Sequence, residues 1–586
     1  MKPEFMIGTI FKHFRIERKI SLRAAAQGLT ASTISRFENG QVDISADAAK
    51  ALMVNIGMDA EELDYLRDTS FPDPFSAFVR GDLAEIRTAA EIFLASRPIT
   101  PLTRLIHTVL PLLTSDEPPT ARLEQQLANL LAHPLLWGNV EATILLAVLP
   151  QASSEFKRLI WQRIAKQSVE RPNWQHLTVA ISALVLISHD DGPLLPMIHQ
   201  DLKQILAQNK LSTRNIATKP LLIAASRLSV NDNIGELVYQ LQQVNANQMA
   251  DFLASVQSKH ALPKKSWHNP SLQDSHKLSL EIVPNEEIIS GQAIAKLRKQ
   301  RGLTIDETIG DWNVSTQSRF ETGKISLGFT KLLTLLDTLL IPLARAVVGQ
   351  DAVTSFEHLQ HHLADMGELI EQHTKADFFN LVQQFVDDHR NLPPALLAMQ
   401  TYAVKSSIAR FAQPICETPE EITPSISAKT QQIVIDYVSR LEWISHLDAL
   451  LLKMILPGVT EPYIESLTLA ILPKIKPGSP GESEFYQKSS FLIYGPLYLQ
   501  KGELLRTVAE FLTYHQRFDA DWRVQRGCAY AHLLCETFNQ STPETNQRAI
   551  EFGKAFKSLI AYQDAPFVPD RWIQFAIDRD YKKLEH

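Results

Sequence analysis

Ser32, Thr33, Ser35 and Arg36 fall within five consecutive positions, and the same four residue types recur at Ser315, Thr316, Ser318 and Arg319. Short hydroxyls donate and accept hydrogen bonds, and a guanidinium can grip guanine or a phosphate through two parallel N–H bonds. On a helix, Ser32, Ser35 and Arg36 share one face, while Ile34 and Phe37, three apart, turn inward. Such a face suits the reading of base edges, so Ser32, Thr33, Ser35 and Arg36 are the expected readers, with Ser315, Thr316 and Arg319 as a second set. Lys12, Arg15, Arg18, Lys19 and Arg23 are the expected phosphate contacts around the first set. Lys296, Arg298, Lys299 and Arg301 hold the corresponding region of the second.

These residues belong to a phrase that the chain spells twice, SRFENG at 35–40 and SRFETG at 318–323. A shift of 283 aligns Gly8–Gly40 with Gly291–Gly323 without a gap. Ten of the 33 positions are identical: Gly8, Arg15, Arg18, Ser32, Thr33, Ser35, Arg36, Phe37, Glu38 and Gly40. Composition alone would give about two. Apolar character matches at Phe11/Ile294, Phe14/Leu297, Ile20/Leu303 and Leu29/Trp312, so the segment reads as a duplication. Trp137 and Trp443 open leucine-rich helical runs at an offset of about 306, which extends the repeat and implies an insertion in the second half.

The elements that would carry the phrase can be read locally. Phe11 and Phe14 mark a first helix. Ser21 precedes the small-residue helix LRAAAQ, and Gly28 breaks it. Thr30 and Asn313 can cap the helices that follow, and Gly40 and Gly323 can end them in the left-handed conformation. A further helix, Ala46–Ile56, is expected after Ser45. Two short helices joined by a tight turn make a helix-turn-helix, whose second helix enters the major groove. Glu38 and Glu321 are expected to satisfy neighbouring basic or backbone groups.

The whole chain of 586 residues, 45% hydrophobic and 21% charged, exceeds what one core can hold. Abundant Leu and Ala, sparse Gly and little strand-like alternation predict an all-α protein. Expected domains are 1–68 (helix-turn-helix), 69–257 (helical repeat), 258–289 (linker), 290–350 (a second, degenerate helix-turn-helix) and 351–586 (helical repeat). Paired helices stacked as an irregular α-solenoid would bury the leucine faces. Net charge is −7, yet residues 1–45 and 291–331 each hold seven Lys/Arg against four Asp/Glu. The rest of the chain holds 44 against 57, a net of −13. Positive charge is thus gathered where the phrase occurs, which fits double-stranded DNA as partner.

Other chemistry is absent or weak. Cys416, Cys528 and Cys535 lack metal or disulfide spacing, which predicts free thiols in a reduced, cytoplasmic setting. The first residues lack the apolar core of a signal peptide, and the run 332–349 is broken by Asp337, Pro342 and Arg345, so no membrane association is expected. His358, His361 and His362 read as a solvated face rather than a metal site. Neither HExxH, a phosphate loop nor G-x-S-x-G occurs, so no catalytic residue, metal or cofactor is expected, and the chain reads as not an enzyme.

The stretch opening at Leu29, L-T-x-S-x-I-S-R-F-E-x-G, resembles the recognition-helix signature of Rgg/GadR/MutR-type transcriptional regulators of the Cro/C1 helix-turn-helix class. The following GQVDISADAAKALMVNIGMDAEEL is similar as well. Members carry one such domain and then a tetratricopeptide-like domain that binds a short signalling peptide and dimerises. The chain resembles two members fused head to tail. The resemblance implies a transcription regulator of the quorum-sensing kind that responds to a peptide pheromone, here a pseudo-dimer within one chain open to further homodimerisation; the peptide-binding residues are not assigned. A peptide-independent repressor of phage or toxin–antitoxin type, or a helical scaffold with vestigial heads, are the alternative readings. The second copy departs from the signature at Gln317 for Ile34, Asp306 for Arg23, Asp311 for Gly28 and Trp312 for Leu29. Gln317 is expected to loosen the core and the two aspartates to oppose phosphate, leaving the first head the stronger binder.

Overall fold

A computed structural model describes residues 4–26, 29–58, 60–67, 71–97, 99–131, 138–170, 176–189, 192, 194–207, 218–260, 290–341, 343, 359, 362–363, 366, 372–388, 394–411, 426–456, 459–461, 463–475, 492, 496–497, 500–516, 522–559 and 569–579. The protein is all-α. The first head comprises α1 (Glu4–Glu17), α2 (Leu22–Ala25), α3 (Ala31–Glu38), α4 (Ala46–Ile56) and α5 (Ala60–Leu66). The first body follows with α6 (Pro74–Arg80), α7 (Leu83–Ala95), α8 (Pro101–Val109), α9 (Ala121–Leu130), α10 (Asn139–Val148), α11 (Ser154–Glu170) and α12 (His176–His189). It continues through α13 (Leu195–Ala207), α14 (Lys219–Leu228), α15 (Gly235–Gln243) and α16 (Asn247–His260). The second head has α17 (Gly291–Gln300), α18 (Val314–Glu321) and α19 (Phe329–Thr338). The second body has α20 (Lys375–Asp388), α21 (Pro394–Phe411), α22 (Ala428–Arg440), α23 (His446–Ile455) and α24 (Tyr463–Ile471), then α25 (Gly502–Gln516), α26 (Trp522–Asn539), α27 (Pro543–Leu559) and α28 (Pro569–Asp578).

Local rules explain most of the element ends. Thr30, Ser45 and Asn313 accept the backbone N–H three residues on and start α3, α4 and α18. Gly40 and Gly323, at φ 68° and 73°, take the left-handed conformation that ends the phrase helices. The expected linker is helical at its first three residues, which extend α16 to His260, and 261–289 lie outside the described residues. No described helix is long and apolar enough to cross a membrane. Cys528 and Cys535 are buried thiols outside any disulfide among the described residues; Cys416 lies outside the described residues.

Each head is bolted to the body of the other half. Arg18, buried at the end of α1, donates from Nε to the Tyr437 hydroxyl (3.0 Å) and from Nη2 to Asp448 (3.1 Å). Tyr437 in turn donates to Asp448 at 2.7 Å. Burial works against the Arg18 charge, but the surrounding Tyr437, Asp448, Glu62 and Glu17 raise its pKa above the ordinary value. Burial also lifts the Tyr437 phenol well above its usual range, so it serves as a neutral donor. The second head repeats the device. Arg301 donates from Nη2 to Glu141 at 2.7 Å, both side chains being buried. Asp448 and Glu141 hold the same place, the third residue of α23 and α10, where their carboxylates also accept the N–H of Ser445 and Gly138. Around the first anchor, Trp443 packs on Phe14 and stacks with His13, and Arg18 lies 3.6 Å over the Phe14 ring.

The heads also meet each other. Ser45 and Gly328 form an antiparallel bridge. These two residues are equivalent under the 283-residue shift, so their pairing is what a local two-fold axis between the heads requires. A Cβ on Gly328 would stand 2.0 Å from the Asp43 carboxylate, which instead accepts both the N–H and the hydroxyl of Thr330. Phe329 crosses into the first core, edge-on to Phe11 at 6.1 Å. Arg67 pairs with Asp337, and Asp64 accepts the Leu343 N–H. At the far end α15 packs on α27, forming a crevice lined by Gln242, Asn245, His532, Arg548, Glu551 and Phe552.

Removing one member of a buried charge pair strands the other, at a cost of about 3–5 kcal/mol. Asp448→Ala is therefore expected to speed hydrogen exchange in α1 and α23 together, although 430 positions separate Arg18 from Asp448. Unchanged protection of α1 would contradict the anchor.

Candidate nucleic-acid interface

Within the first head, α1 and α2 both pack on α3, and α2 also meets α4. Phe11, Phe14, Ile34 and Phe37 are buried, with Phe11 edge-on to Phe37 at 5.3 Å. The approach of α1 to the end of α3 is so close that a Cβ on Gly8 would stand 2.0 Å from the Phe37 carbonyl oxygen; on Gly291 the distance to the Phe320 carbonyl oxygen would be 1.8 Å. Both glycines of the repeat are thus required sterically.

Glu38 closes this contact from inside. It accepts two bonds from Arg15, at 2.6 and 2.7 Å, while the third arginine nitrogen donates to the Ile20 carbonyl at 2.7 Å. The second head repeats all three bonds with Arg298, Glu321 and the Leu303 carbonyl. Burial pushes the Glu321 carboxyl upward, but bonds from Arg298 and Gln317 outweigh it and hold the group below its ordinary range. Glu38 and Glu321 are local partners, as expected.

Four of the arginines expected at phosphate face the interior. Arg15 and Arg298 are held by buried glutamates, and Arg18 and Arg301 by the opposite body. Their guanidinium donors are directed inward and cannot reach a backbone phosphate outside. The missed signal lies in the helical period, for Arg15 and Arg18 continue the stripe of Ile7, Phe11 and Phe14.

The remaining candidates are at the surface. Ser32 and Arg36 are exposed on α3, with Ser35 and Thr33 half-buried beside them. Thr33 is engaged at the start of the helix, its hydroxyl 2.9 Å from that of Thr30. The Arg36 guanidinium makes no hydrogen bond within the described residues. Lys19 and Arg23 are exposed, and Lys12 donates to Asn39 at 3.0 Å. On α18, Ser315 and Arg319 are exposed and Thr316 and Ser318 half-buried. Lys296 is half-buried, and Lys299 and Lys324 are exposed cations at places where the first head has Ile16 and Gln41.

Two expectations about the second head change. Gln317 does not loosen the core. Fully buried, it accepts from the Trp312 indole at 3.0 Å and donates to Glu321 at 3.0 Å. Trp312 and Gln317 thus replace Leu29 and Ile34 as a pair, polar but satisfied. Where the first head has α2, the second has a hydrogen-bonded turn built on Thr304 and Glu307. β-Branched Ile305, Thr308 and Ile309 stand there in place of Leu22, Ala25 and Ala26, which favours the turn. Asp306 and Asp311 are exposed. Among the described residues no cluster could hold a metal; His362 is exposed, and His358 and His361 lie outside them.

No family model and no curated protein matches this chain. Two solved structures of the SHP pheromone receptor Rgg2 from Streptococcus dysgalactiae resemble it in part. A cysteine-to-serine variant shares 16% identity at a TM-score of 0.36 over 46% of this chain and 93% of its own. Another structure of that receptor shares 15% at 0.36 over 50% and 99%.

The buried Arg15–Glu38 pair yields a stability test. Glu38→Leu alone is expected to destabilise the first head by about 3–5 kcal/mol, and Arg15→Met with Glu38→Leu by much less, because no charge is then stranded. Urea unfolding would check this; a double variant no better than the single would contradict the assignment.

Proposed function

We propose that this chain is a DNA-binding transcription regulator, a covalent pseudo-dimer whose two heads address one operator of unequal half-sites. One observation carries the reading. Two helices with matching polar faces, Ser32, Ser35 and Arg36 on α3 and Ser315, Ser318 and Arg319 on α18, belong to heads joined by a pairing of equivalent residues. DNA readers that occupy two half-sites about 34 Å apart need such a two-fold relation. Supplying both heads in one chain makes engagement of the second half-site intramolecular.

The arginines in these faces read guanine or grip phosphate, while Lys12, Lys19 and Arg23 in one head and Lys296, Lys299 and Lys324 in the other supply phosphate contacts. Control is by a short signalling peptide held in the bodies, as the family resemblance implies. Its route to DNA is the crossed anchoring. Because Arg18 and Arg301 tie each head to the opposite body, a peptide that prefers one arrangement of the bodies shifts the heads with them.

Arg36→Ala and Arg319→Ala in the full chain are each expected to weaken operator binding by about 1–3 kcal/mol and non-specific binding far less. Fluorescence titration at fixed salt would measure both. Operator affinity unchanged in both variants would contradict the reading, and genome-wide occupancy with and without spent culture medium would test the peptide.

A further inference from the structure

Val314 is the first residue of α18 and is 43% exposed, an apolar side chain beside the polar face of Ser315, Ser318 and Arg319. The helix core is made without it, by buried Gln317, Phe320 and Glu321. Its place is well held, because Asn313 accepts the Thr316 N–H at 2.8 Å and fixes the first turn. Valine is also stiff about χ1, so it presents a firm apolar surface. The first head has the smaller, half-buried Ala31 at the equivalent position.

A reading helix presents its N-terminal residues to base edges, and the one apolar group on those edges in the major groove is the thymine C5-methyl. We infer that Val314 is a specificity-determining residue, seating a thymine methyl in the half-site under the second head, where the smaller, half-buried Ala31 of the first head offers less apolar surface to such a methyl. This rests on the DNA-reading function proposed above. The identical arginines Arg36 and Arg319 let both half-sites share a guanine, and Ala31 against Val314 makes them differ at the thymine.

The test selects duplexes from a random library with the full-length protein. The expected operator has a guanine in both half-sites and a thymine in one only. Replacing that thymine by uracil, which lacks the methyl, should weaken binding about fourfold, the worth of burying one such group. Val314→Ala should bind the thymine form more weakly than the wild type does while keeping wild-type affinity for the uracil form, so that its thymine-to-uracil difference is smaller. Enriched operators that are indifferent to the methyl, or whose uracil form weakens Val314→Ala equally, overturn the role of Val314 alone. Failure to enrich any sequence overturns the DNA-reading function and this inference with it.

Discussion

Two buried guanidiniums hold the molecule in its crossed form. An arginine taken out of water costs several kcal/mol unless a carboxylate and further hydrogen bonds replace its hydration. Arg18 finds a carboxylate and a phenol on α23 and α22, and Arg301 finds a carboxylate on α10. Because the partners lie in opposite halves, neither head can leave its foreign body without stranding a charge. Arginine is required because its fork reaches Tyr437 and Asp448 at once, which an ammonium cannot do in the same geometry. The receiving carboxylates serve twice, since Asp448 and Glu141 also satisfy N–H groups at the start of their own helices.

Within that frame the two heads are alike in construction and unlike in surface. The arginine–glutamate pair, the close glycine contact and the left-handed glycine recur in both. Around them the residues have diverged in compatible sets. Trp312 and Gln317 satisfy each other where Leu29 and Ile34 simply pack, and Phe329 fills the first head's core from a position held in that head by Ala46. Lys12 has Ala295 as its counterpart, and Ile16 has Lys299. Contact between two heads of one chain permits such differences, because neither head meets a copy of itself there.

Much of the head was legible in the sequence. The helix 46–56, its Ser45 cap, the caps at Thr30 and Asn313 and the glycine ends follow from local chemistry, and the structure reproduces them. The glycine shared at Gly8 and Gly291 had no local reason, since its cause is a contact with a helix some thirty residues away. Charge alone misled at Arg15, Arg18, Arg298 and Arg301. A cation on a basic segment suggests phosphate, but the helical period of Phe11 and Phe14 places those arginines inward. Gln317 misled for the converse reason, because a polar residue at a core position is costly only when unpaired, and its partner Trp312 sits five residues earlier. The crossed anchoring could not be read at all, for it joins positions 430 and 160 residues apart.

The central claim is that one chain occupies an operator of two half-sites. Light scattering coupled to size-exclusion chromatography of the full-length protein on a single operator duplex measures this directly. The account predicts one chain per duplex, with an asymmetric footprint covering two turns of the groove. Two chains per duplex, each bound through its first head while the second heads leave the DNA unprotected, would contradict it.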